Sequence, residues 1–124
     1  MPKYDITFNP PAPVAEVTIA HPLTNDASGI LPGKFDTGAD VTVIPEIWIA
    51  SLGLSPKGFL WARGYEGSYS QRPVYYVRMT VESFPLATVR CIASVRDNVL
   101  LGRNVLNRFL ITLDGKQQFF TLTP

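Results

Sequence analysis

The sequence predicts an all-β protein, and three observations carry that prediction. Eleven prolines and nine glycines punctuate a chain of 124 residues, a density of breakers that favours many turns over long helices. Several short stretches alternate apolar and polar residues with a period of two, the signature of half-buried strands, while repeats at helical spacing are short. The length suits one core, so residues 1–124 are expected to form a single domain.

Each element follows from its residues in order. Val17 and Ile19 alternate with Glu16 and Thr18, which predicts a strand over Val14 to Ala20. Pro22 to Gly33 is rich in turn formers and reads as a loop or hairpin connection. Val41, Val43 and Ile44 suit a strand, and Ile44, Trp48 and Leu52 recur at helical spacing, which predicts a short helix over Glu46 to Leu52, ended by Gly53. The run from Phe59 to Ser70 places aromatic residues on both sides of a glycine-containing tip, Gly64 to Gly67, and reads as a mobile hairpin. Val77, Met79 and Val81 form one alternating strand, and Ala87, Val89, Cys91 and Ala93 a second, joined by a turn at Ser83 to Pro85. An apolar strand then runs into Gly102 and a short amphipathic helix, and a hairpin around Asp114-Gly115 closes the chain.

Composition excludes several classes of function. Eleven Lys and Arg against ten Asp and Glu leave a net charge of +1, too weak a field to recruit nucleic acid or an acidic membrane. The lone Cys91 cannot make an internal disulfide and fits a core position; the lone His21 cannot build a zinc site without carboxylates. No metal and no cofactor is expected. No apolar run reaches the roughly 18 residues of a membrane span, and the start lacks the core of a signal peptide, so a soluble, cytoplasmic protein is expected.

The chemistry lies in Asp36-Thr37-Gly38-Ala39, which occurs once. Two carboxyl groups about 3 Å apart cannot both ionise, and such a pair sharing one proton can activate a water against a peptide carbonyl. One Asp-Thr-Gly therefore supplies half a pair. A glycosidase using Asp36 with Asp40 is excluded, because both lie in one tight loop rather than across a sugar.

Asp36-Thr37-Gly38-Ala39-Asp40, the glycine-bearing hairpin and Leu100-Leu101-Gly102-Arg103-Asn104, in that order, resemble the retropepsins, the single-domain dimeric aspartic proteases of retroviruses, retrotransposons and some cellular and bacterial proteins. The resemblance spans roughly Val14 to Leu122. It implies a closed β-barrel with a flap hairpin and one or two short helices. It also implies a homodimeric endopeptidase acting on peptide or protein substrates, with Asp36, Thr37 and Gly38 of each copy meeting at the axis. Thr37 would hydrogen-bond across that axis, and Gly38 would let backbone approach backbone. Ala39, Asp40, Gly64, Tyr65, Gly67 and Arg103 are the implied substrate-binding set, with Arg103 pairing a partly buried Asp40. Apolar pockets lined by residues such as Ile44, Trp61, Val95 and Val99 are expected to favour hydrophobic side chains. Ala39 lacks a hydroxyl that could favour the charged carboxylate, so activity at mildly acidic pH is expected. Two features depart from the family pattern. Lys34, expected to face solvent, stands where most members are aliphatic. The terminal hairpin extends past the last helix, and is expected to form much of the dimer interface, so that cutting at Leu113 would leave inactive monomers. The competing reading is a catalytically silent dimerisation or peptide-binding module of the same fold.

Overall fold

The computed structural model describes residues 1–64 and 66–124. The strands are β1 (Val14–Ala20), β2 (Leu31–Phe35), β3 (Thr42–Pro45), β4 (Phe59–Arg63), β5 (Tyr69–Pro73), β6 (Tyr75–Val81), β7 (Phe84–Ser94), β8 (Val99–Leu101), β9 (Leu110–Asp114) and β10 (Phe119–Thr123), and the helices are α1 (Ile47–Ser51) and α2 (Arg103–Leu106). Six strands close into a barrel in the order β1-β2-β8-β3-β7-β6, while β4 with β5 and β9 with β10 form two-stranded sheets outside it. Closure hides the barrel's strand edges and leaves one interior to fill. Val17, Ile19, Ile44, Met79, Val99 and Leu101 are among the side chains that fill it.

The alternation in β1 holds: Ala15, Val17 and Ile19 are buried and Glu16 is exposed. The connection expected to last until Gly33 ends sooner, because Leu31, Pro32 and Gly33 already belong to β2. Turn-forming composition misleads here. Pro32 pairs with Glu16 of β1, and the parallel pairing with β8 begins only at Gly33, so the missing Pro32 N–H falls at the end of that ladder. Lys34 is half-buried rather than simply solvent-facing, with its ammonium 4.6 Å from the centroid of the Phe8 ring.

In β7 the expected alternation through Ala87 breaks. Val89 and Cys91 are buried while Ala87 is exposed, and Phe84 and Leu86 lie half-buried on the opposite parity. A register shift between Val77 and Met79 of the partner strand accounts for it, since one extra residue flips every side chain beyond it to the other face. Cys91 lies in the core, and burial pushes its thiol up to about 12. It stays a neutral, inert packing group.

The helix expected over Glu46 to Leu52 is α1 with those two residues as its caps, and Gly53, at φ +66°, ends it. Leu52 is buried, while Trp48 and Ile49 pack half-buried against the core. The terminal hairpin turns over 115–118 rather than at Asp114-Gly115 alone: the Gln118 N–H donates to the Asp114 carbonyl at 2.7 Å and the Gln117 N–H to Asp114 Oδ1 at 2.9 Å. One face of this hairpin belongs to the core. Phe120 is fully buried and meets Phe35 edge-on, with ring centroids 5.1 Å apart. The chain's first residues line the hairpin's inner edge, where the Phe120 N–H donates to the Pro2 carbonyl at 3.0 Å and the Tyr4 N–H to the Gln118 carbonyl at 2.8 Å. No helix among the described residues is long and apolar enough to cross a membrane.

Candidate active site

Asp36 directly follows the last residue of β2. Its N–H donates to the Leu101 carbonyl at 2.9 Å, so the end of β8 sets where the loop leaves the sheet. The Gly38 N–H donates to Asp36 Oδ1 at 2.9 Å, and the Ala39 N–H to the Asp36 carbonyl at 3.3 Å. The carboxylate is therefore aimed by its own loop, an Asx-type turn. A Cβ on Gly38 would lie 3.2 Å from Asp36 Oδ1. Within this chain, then, glycine makes room for the carboxylate rather than for another stretch of backbone.

Arg103, the first residue of α2, clasps the loop from the other side. Its N–H donates to the Ala39 carbonyl at 2.8 Å, Nη1 donates to the Thr37 carbonyl at 2.8 Å, and Nη2 pairs with the Asp40 carboxylate. The planar guanidinium fork suits two partners at once, which an ammonium could not reproduce. The expected Asp40–Arg103 pair is thus formed, but it is exposed and not partly buried: the side chains are 81% and 46% accessible. Screening by water makes it an orienting contact more than a stabilising one.

Beneath the loop lies a polar anchor that sequence reasoning missed. Buried Thr42 donates its hydroxyl to Asn104 Oδ1 at 2.9 Å and accepts from the Gly102 N–H at 3.1 Å. The Asn104 oxygen also accepts from the Thr42 N–H at 3.0 Å, and its amide nitrogen donates to the Arg90 carbonyl at 2.7 Å. Gly102 is required there, because a Cβ would stand 2.6 Å from the Val41 carbonyl carbon, in backbone that cannot swing aside. The signal was the position of Asn104 directly after Arg103, and of Thr42 two residues after Asp40.

A cleft of about 680 Å³ opens beside the loop, lined by Gly38, Ala39, Asp40, Val41 and Val43, by Leu60 to Arg63 and Tyr69 of the β4–β5 hairpin, and by Arg90 and Ile92 of β7. Trp61 lines it as expected, but Ile44 and Val99 are wholly core and Val95 is 83% exposed outside it. Val41, Val43 and Ile92 take their place as the apolar wall, and the outward parity of Ile92 opposite buried Cys91 was the overlooked signal. Gly64 and Gly67 form the hairpin's tip, where the Gly67 N–H donates to the Gly64 carbonyl at 3.0 Å and Gly67 adopts φ +87°. Neither is among the residues lining the cleft, nor is Arg103, and Tyr65 lies outside the described residues. A larger cavity of about 980 Å³ lies between α1 and the hairpin's base; the Asp36 loop does not line it, and Asp36 itself lines neither cavity.

No protein-family model matches the sequence, and no curated protein does. Solved structures do. The simian foamy virus protease superposes with a TM-score of 0.57 at 22% identity, over 77% of this chain and 92% of its own. The EIAV protease in complex with an inhibitor gives 0.54 at 20% identity, over 78% and 86%. A retropepsin-like aspartic protease from Rickettsia conorii gives 0.56 at 19% identity, over 90% of this chain and 92% of its own. Likeness at this level of identity speaks for the fold, and the site must carry the function. The closed six-stranded barrel, and the likeness of the chain to these three proteases over more than three quarters of its length, give it the retropepsin-like fold.

Proposed function

We propose that the chain is an aspartic endopeptidase that works as a homodimer, with Asp36 of each copy forming the catalytic pair. The observation that carries this reading is the Asp36 carboxylate itself, held by the Gly38 N–H in a loop whose following residues, Gly38 to Val41, line a cleft together with the β4–β5 hairpin. One such carboxylate per chain needs a second copy. Thr37 supports the dimer: it is exposed, and among the described residues its hydroxyl has no hydrogen-bond partner, so it is available to the other loop.

An extended peptide would lie along the cleft as an added strand, with the β4–β5 hairpin closing over it. The charged Asp36 takes a proton from the bound water while the protonated one donates its proton to the carbonyl oxygen. Water oxygen bonds to carbonyl carbon and a tetrahedral intermediate results, with no covalent enzyme species. Asp40, held by Arg103, is positioned to accept from a substrate amide.

The test is a peptide-library cleavage profile from acid to neutral pH, with the mass in solution measured on the same sample. Asp36→Asn is expected to lose at least about 100-fold in cleavage rate, the lower end of what acid–base groups contribute, while keeping its mass. A wild-type protein that dimerises yet cleaves nothing across the library would support the silent module instead.

A further inference from the structure

The wall of the cleft carries two arginines that no carboxylate among the described residues pairs with. Arg72, Arg78, Arg96, Arg103 and Arg108 each donate a side-chain hydrogen bond to the protein. Among the described residues Arg63 and Arg90 donate none and join no salt bridge, and both line the cleft. They reach it from different sheets, Arg63 from the β4–β5 hairpin and Arg90 from the barrel. Arg63 ends β4 with its guanidinium 5.8 Å from the Tyr69 ring centroid, and Arg90 is exposed on β7, two residues from Ile92. The carboxylate lining the same space, Asp40, is taken by Arg103, and Glu66 at the hairpin tip accepts from Ser68. Desolvating two arginines without a partner is unfavourable, so closing the hairpin over a neutral substrate would carry a cost that an anionic one removes.

The geometry points to a substrate with an acidic side chain, Asp or Glu, seated between Arg90 and Arg63 while an apolar neighbour lies on Val43 and Ile92. This rests on the reading of the chain as a peptidase. A carboxylate can take a guanidinium bidentately and so fix the register of the peptide as well as its charge. A binding pocket for apolar side chains alone would have placed neither arginine there.

Matched peptides differing only in Asp against Asn, or Glu against Gln, scanned through the positions flanking the cleaved bond, test this with the wild-type protein. At one position the acid is expected to raise kcat/KM about fivefold, mostly through KM, the size of a partly exposed ion pair. The ratio should shrink as salt is raised. In Arg90→Gln it should fall toward one, and in Arg90→Glu a Lys peptide should become the preferred one. Arg90's side chain is exposed and joins no salt bridge among the described residues, so these variants are expected to read specificity, with a thermal melt of each checking that stability is kept. The same peptides are also titrated against Asp36→Asn by fluorescence anisotropy, which separates the subsite from the chemistry. If the wild type cleaves nothing but acidic peptides bind better in an Arg90-dependent way, the subsite stands and the peptidase reading falls. A ratio of one at every position, a preference untouched in Arg90→Gln, or no binding by any peptide overturns the subsite.

Discussion

Asp36, Thr42 and Arg103 divide the work of the loop at the scale of single residues. Asp36 supplies the carboxyl group, Arg103 holds the loop's carbonyls and Asp40 from outside, and Thr42 fastens its base from within. The outside contacts are exposed and individually weak; the inside ones are buried, where a lost partner is costly. Thr42→Val keeps the shape and removes the hydroxyl, leaving the Gly102 N–H and one Asn104 lone pair unsatisfied. It is expected to destabilise the fold by about 1–3 kcal/mol, read by thermal or urea unfolding. The pairing of Asp40 with Arg103 was legible in the sequence through the order of the motifs that resemble the retropepsins. Thr42 and Asn104 were not, since neither has a signature until β3 and α2 are brought together.

Strands rather than helices decide the geometry at the scale of elements. β8 lies between β2, to which it runs parallel, and β3, to which it runs antiparallel, so a three-residue strand pins both ends of the Asp36 loop. The β4–β5 hairpin is different. Its two strands pair with each other outside the barrel, and a lone two-stranded sheet is marginally stable by itself. Gly67→Ala places a side chain at φ +87°, a strain of about 1 kcal/mol or more in the hairpin's own turn. Because that turn lies far from the core, the expected outcome is a fall of several-fold in kcat/KM with a melting temperature changed little. A matched loss of both would tie the hairpin to global stability instead. The hairpin was readable from its aromatics and glycines, whereas the parity of β7 was not: the shift opposite Val77 and Met79 is a property of two strands together.

The whole molecule raises the question of the second copy. The terminal hairpin was expected to form much of the dimer interface, and one face of it is committed to the core, where Phe120 and Leu122 are buried. Cutting the chain at Leu113 would strip that core, at about 3–5 kcal/mol for a lost buried Phe alone, so the truncation would unfold the chain before it reported on dimers. The outer edge of β9 offers a cleaner test. It pairs with no strand among the described residues, and Leu110 beside it is 71% exposed. An uncovered apolar edge strand invites pairing with another chain. Leu110→Lys is expected to halve the mass in solution and abolish cleavage while leaving the melting temperature of the monomer measurable. An active dimer with Lys at 110 would move the interface elsewhere.

By itself the sequence determined the all-β class, the order of the elements and the single carboxylate, because period-two alternation, breakers and a chemically constrained tetrapeptide are local properties. The tertiary structure alone decided what surrounds the loop that bears that carboxylate: the three-point hold of Arg103, the Thr42–Asn104 anchor and a cleft walled by Val43, Ile92, Arg63 and Arg90. Those residues come from strands far apart in sequence, and only barrel closure, which is driven by the burial of one shared interior, brings them to one mouth.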